Sequence, residues 1–70
     1  MRIISQKQDY SFDFERTTFW MQGNYIYAKM GIDNQVIGAF ASANRASEVF
    51  REMHNEYSVG RVKLYYIPEV

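Results

Sequence analysis

His54 is the only histidine in a chain of 70 residues that has no cysteine, so nucleophilic catalysis has a single base to recruit. A Ser-His-acid arrangement also needs a serine on a sharp turn beside that base. No Gly-x-Ser-x-Gly or comparable turn is present. His54 falls at the border of an apolar helical stripe, one turn after Phe50, where half-buried packing is the commoner role of a histidine. Asp13 and Glu15 are spaced to share one face of a strand and so to resemble an acid/base pair. Carboxylates on the wet side of an amphipathic strand are far commoner than catalytic ones. Four glycines build no Gly-x-Gly-x-x-Gly and no phosphate loop. The residues therefore point to a non-enzymatic protein that holds neither metal nor cofactor.

Two sets of residues are better suited to binding. Arg61, Lys63 and Tyr65 alternate along an expected last strand, which would put two cations and a ring on one face. Such a strip, with Arg45 or Arg51 beside it, suits a nucleotide or another phosphate-bearing ligand. Its plainer role is to keep an exposed strand edge from aggregating. Tyr25 and Tyr27 share a strand face with Lys29, opposite Ile26, Ala28 and Met30, and Trp20 lies on the preceding strand. Trp, Tyr and Arg dominate interface hot spots, which singles out Trp20, Tyr25 and Tyr27 as candidate binding residues. Aromatics make up 17% of the chain, with five Phe, six Tyr and one Trp. That is more ring surface than one small core needs, and the surplus favours an interface with another protein or with another copy in a homo-oligomer.

These side chains need elements to position them. Ile3-Ile4 reads as a short strand closed by the polar turn Ser5–Asp9, and Phe12 and Phe14 alternate with Asp13 and Glu15 as a short strand or extended edge. Thr17–Met21 and Tyr25–Met30 flank Gln22-Gly23-Asn24, which gives the positive φ a hairpin requires. A second turn at Gly31–Asn34 leads to a strand over Gln35–Phe40 and makes a meander. From Ala43 to Tyr57 the period changes: Ala46, Val49, Phe50, Met53 and Tyr57 form one helical stripe, with Ser42 as N-cap and Glu48, Glu52 and Glu56 as an acidic ridge facing solvent. Gly60 ends the helix, and a final strand over residues 61–67 stops at Pro68. The expected fold class is α+β, a single domain over residues 1–70 in which an antiparallel sheet of about five strands packs on one helix.

A domain of this length buries only roughly 60% of the surface its unfolded chain exposes, and it has no disulfide to compensate. Eight basic and eight acidic residues leave a net charge of zero, which disfavours a general nucleic-acid surface. Apolar runs are too short for a membrane span, and Met1–Ser5 lacks the apolar region of a signal peptide, so a cytosolic location is expected.

Met1-Arg2-Ile3-Ile4-Ser5-Gln6, Phe14-Glu15, Ile26-Tyr27-Ala28 and the block from Phe40 through Ala46, Val49-Phe50, Met53 and Tyr57 resemble a group of small phage and prophage proteins of Gram-positive bacteria. The likeness runs over roughly the first 57 residues, through short motifs. Asp13 stands where that group has proline and Phe14 where it has tyrosine. Ala43-Asn44-Arg45 replaces its acidic capping residues, and most members are longer after the helix. The resemblance implies an accessory protein acting in the cytoplasm of the infected host. Some small phage proteins of this general kind counter antiviral defence, either by docking on a defence protein or by sequestering its nucleotide signal, and the residues do not select between the two. A small nucleic-acid-binding regulator is the remaining alternative.

Overall fold

The computed structural model describes all 70 residues. In chain order the elements are β1 (Arg2–Ile4), β2 (Ser11–Asp13), a 3-10 turn (Phe14–Arg16), β3 (Thr18–Gln22), β4 (Tyr25–Met30), β5 (Asp33–Ala39), α1 (Ala43–Val59) and β6 (Leu64–Tyr66). The fold is α+β, with six strands in two three-stranded sheets ordered β2-β1-β6 and β3-β4-β5. The single antiparallel sheet of about five strands expected from the pattern is thus divided. Its last strand also runs parallel to β1, with Ile3 beside Tyr65. Alternation reports which face of a strand is apolar but not which strand lies beside it.

Local chemistry accounts for the elements that formed as expected. Ser42 Oγ accepts from the Arg45 backbone N–H at 3.1 Å and opens α1. Gly60, in the left-handed region at φ 76°, closes it by donating its N–H to the Glu56 carbonyl. The helix runs two residues past the expected Tyr57, to Val59, because Gly60 is the first residue able to leave it. The β3–β4 hairpin turns on Gly23, which takes φ 60° at the first central position, where the tight hairpin turn places a glycine.

One core joins both sheets to the helix. Ile3, Phe12, Tyr65 and Ile67 come from the first sheet and its extension, Ile26, Ala28, Ile37 and Phe40 from the second, and Ala46, Val49 and Met53 from α1. The helical stripe is narrower than its spacing suggests: Phe50 is partly buried, and Tyr57 is 36% exposed. Tyr57 instead stacks on Phe14 at 4.3 Å, and Phe14 also meets Phe19 at 5.2 Å. Phe14 reaches them because β2 stops at Asp13 and the 3-10 turn swings its ring toward the helix. The alternating strand expected through Glu15 ends there.

The two sheets are joined at Gln6. Its backbone N–H donates to the Ile37 carbonyl at 2.8 Å. Its side-chain Oε1 accepts from the Ala39 N–H, and its Nε2 faces the carbonyls of Ala39, Pro68 and Glu69 at 2.8–3.0 Å. Close by, β5 carries a bulge beside Ile26 and Tyr27. Gly38 is buried there, and a Cβ on it would meet Phe40 Cε2 at 2.9 Å and Ile67 Cγ2 at 3.1 Å.

Candidate functional site

Strand alternation divides the second sheet into a covered and an open face. Ile26 and Ala28 of β4 are fully buried beneath α1, and Phe19 of β3 packs against the same core. Tyr25, Tyr27 and Lys29 must then project from the opposite face, together with Thr18, Trp20 and Gln22 of β3 and Asn34 and Val36 of β5. The register sets Trp20 directly across from Tyr27 and Tyr27 across from Val36. Trp20 and Tyr27 stack almost parallel, with ring centroids 5.3 Å apart at 8°. Tyr25 stands one pleat along, 6.2 Å from Tyr27 and tilted by 51°. No helix or loop covers this face, where Tyr25 remains 42% and Val36 50% exposed. Among these eight residues the only charge is Lys29, and there is no carboxylate. The structure therefore brings together Trp20, Tyr25 and Tyr27 and adds Val36, whose place on the face depends on strand pairing.

The second expected set does not assemble. β6 covers only Leu64–Tyr66, so the strand period does not extend back to Arg61 and Lys63, which sit exposed in the irregular segment after Gly60. Tyr65 turns inward beside Ile3 and is 8% exposed, while Leu64 and Tyr66 point to solvent. The strip of Arg61, Lys63 and Tyr65 is thereby corrected: its ring belongs to the core. Arg45 is engaged with Glu48 at 3.3 Å and with the Val70 carbonyl at 2.9 Å, and Arg51 donates to Ser47 Oγ. The acidic ridge is likewise not left wholly to solvent, since Glu52 accepts the Tyr65 hydroxyl at 2.5 Å.

That bond makes alkaline stability informative. Burial, and then the bond to Glu52, hold the Tyr65 phenol well above the ordinary tyrosine range. The folded chain therefore keeps this proton at a pH where the unfolded chain gives it up. The associated stability is complete below about pH 10, the unfolded phenol value, and falls as pH rises above it. Urea unfolding between about pH 9 and about pH 11 is expected to show this loss, and Tyr65→Phe to reduce its slope. An unchanged slope in the variant would assign the alkaline loss to other groups.

The residues weighed for catalysis lie in structural roles. His54 packs between Phe14 at 5.2 Å and Phe50 at 4.5 Å, with Nδ1 2.8 Å from the Phe50 carbonyl oxygen. Asp13 caps the 3-10 turn by accepting from the Glu15 N–H, and Glu15 accepts the Tyr57 hydroxyl at 2.6 Å. The two carboxylates are therefore on different elements and do not form a pair. No group of three His, Cys, Asp or Glu side chains is placed to hold a metal ion. No helix is long and apolar enough to cross a membrane. The chain matches no protein-family model, no curated protein and no solved structure.

Proposed function

We propose that this chain is a non-catalytic binding protein of the phage-accessory type, which captures a host factor on the open face of β3–β4–β5, and that inhibition of an antiviral defence system is its most concrete role. The observation that carries the binding part is the half-buried Trp20–Tyr27 stack, flanked on the same sheet face by the exposed Tyr25 and Val36. Rings fixed by a sheet offer large contact area at little conformational cost. Lys29 at the rim favours a partner that brings a carboxylate or phosphate there. The phage part rests on the resemblance of the Met1–Gln6 opening and the helix block. The nucleotide-sequestering alternative has less support, because Arg61 and Lys63 are left without the Tyr65 ring.

The test is expression of the chain in bacteria that each carry one antiviral system, challenged with phages which that system restricts. Restored plating is expected with at least one system. Trp20→Ala and Tyr27→Ala are each expected to reduce partner affinity by about 2 kcal/mol or more, roughly thirtyfold, and so to abolish the rescue. Their circular dichroism should stay that of the parent, because both rings lie outside the core. Rescue that survives both substitutions would remove the aromatic face from the mechanism. Absence of rescue in every strain would remove the defence role. A flat thermal-shift response to cyclic and ADP-ribose-type nucleotides would dispose of the sequestering alternative.

A further inference from the structure

β5 has β4 on one side and no strand on the other. Which of its backbone groups are unused follows from the register. Gly31-Ile32 is a two-residue turn, so Met30 and Asp33 form the hydrogen-bonded pair that closes it. Alternation along an antiparallel ladder then turns the N–H and C=O of Asn34 and Val36 away from β4, toward the free edge. Beyond Val36 that edge is occupied, because Gln6 bonds the Ile37 carbonyl and both backbone groups of Ala39. The open run is therefore Ile32–Val36. It contains neither lysine nor proline, the residues that commonly protect such edges. It also displays two large apolar side chains, Ile32 at 93% and Val36 at 50% exposure.

We propose that this edge docks a second copy of the same chain, β5 against β5 in antiparallel fashion, about a two-fold axis at Asn34. The run identifies its own occupant, since in this register every facing pair is complementary. Asn34 meets Asn34 of the second copy and exchanges two backbone hydrogen bonds with it. Gln35, an amide donor, meets the carboxylate of Asp33, and Val36 meets Ile32. Neighbouring registers fail for identifiable reasons. With the axis at Gln35, Asp33 of the second copy lies opposite Ile37, where Gln6 already sits. With the axis at Asp33, two carboxylates oppose each other and Val36 loses its apolar partner. The cleft of about 510 Å³ between residues 5–10 and β5 is lined by Asn34, Gln35 and Val36 as well as by Ile37–Ala39, so it overlaps the open run and gives the hairpin tip of the second copy room.

This interface goes beyond the host-factor reading and does not depend on it. A two-fold axis normal to the sheet keeps both aromatic faces on the same side of one six-stranded sheet. Each dimer therefore presents two Trp20–Tyr27 stacks to a partner, a route to avidity. Few contacts are made, so the dimer forms and dissociates with concentration.

The chain has no cysteine, which makes single-cysteine cross-linking clean. Facing residues in a hydrogen-bonded antiparallel pair have Cα atoms about 5.5 Å apart, within disulfide range. Asn34→Cys is expected to oxidise to a linked dimer about tenfold or more faster than Gln22→Cys, which is on the opposite edge strand. Asn34→Asp leaves the fold intact, because Lys29 lies across from it within the sheet. The substitution also opposes two carboxylates at the axis, and should raise the dimerisation midpoint in light scattering by about tenfold or more. Trp20→Ala should change neither result, which separates this interface from the host-factor surface. Equal oxidation rates for the two cysteine variants would overturn the proposal. So would a chain that is monomeric at every concentration, or a dimer that survives Asn34→Asp and dissociates on Trp20→Ala.

Discussion

Met53→Ala is expected to leave most of the chain unfolded at room temperature. Met53 is fully buried on the helix face, at the point where α1 meets the rings and aliphatic side chains of both sheets. Truncating a buried Met to Ala costs about 2–5 kcal/mol, through lost transfer energy and the cavity left behind. A core of this size rarely supplies more than about 3–5 kcal/mol of net stability, and no disulfide adds to it. The substitution therefore removes most or all of the margin. Far-UV circular dichroism and urea titration should show loss of the cooperative transition. Ile32→Ala, at a residue 93% exposed, should leave it unchanged. A Met53→Ala variant that keeps a transition within about 1 kcal/mol of the parent would mean that the helix is held by its caps and rim rather than by its stripe.

Gln6→Ala is expected to be the most damaging change at a residue outside the hydrophobic core. One primary amide ties the β5 edge to the segment after β6, with Oε1 accepting from Ala39 and Nε2 shared among the carbonyls of Ala39, Pro68 and Glu69. At a net ~1 kcal/mol for a typical hydrogen bond, discounted because the site is partly wet and two donor hydrogens serve three acceptors, the loss is about 2 kcal/mol. Its signature is local. Amide exchange at Ala39 and Ile67 should accelerate more than exchange in α1, and proteolysis should begin near Pro68. Gln6→Glu separates donor from acceptor, because a carboxylate still accepts from Ala39 but faces the other carbonyls without a hydrogen to offer. It is expected to be at least as destabilising as alanine. Exchange that rises evenly over the whole chain in Gln6→Ala would show instead that the two sheets and the helix open as one unit.

The parts of the candidate site that could be read before folding are those governed by strand period. Tyr25, Tyr27 and Lys29 share a face because successive side chains point to opposite sides, whatever lies beside them. The turn at Gly23 aligned Trp20 with Tyr27, since a two-residue hairpin leaves one register. Val36 joins this face because the turn is Gly31-Ile32 alone and Asp33 and Asn34 already belong to β5, whereas a turn extending through Asn34 leaves its partner undefined. Tyr65 lies in the core although strand alternation predicts it beside Arg61 and Lys63. Arg61 and Lys63 do not form strand, so period two does not reach them, and the ring's direction is decided by the space beside Ile3 and Glu52.

What the amino-acid order settled unaided is the set of features whose causes lie within a few residues: the helix between Ser42 and Gly60, the hairpin at Gly23 and the shared face of Tyr25, Tyr27 and Lys29 on β4, whereas the openness of that face follows from α1 covering the other one. Tertiary structure alone decided that β6 runs parallel to β1, that six strands divide into two sheets, and that Gln6 joins them to residues far along the chain. Caps and turns satisfy backbone groups within their own segment, so their energies can be read locally. Strand partners are chosen by how the whole core closes, and that depends on every apolar side chain at once.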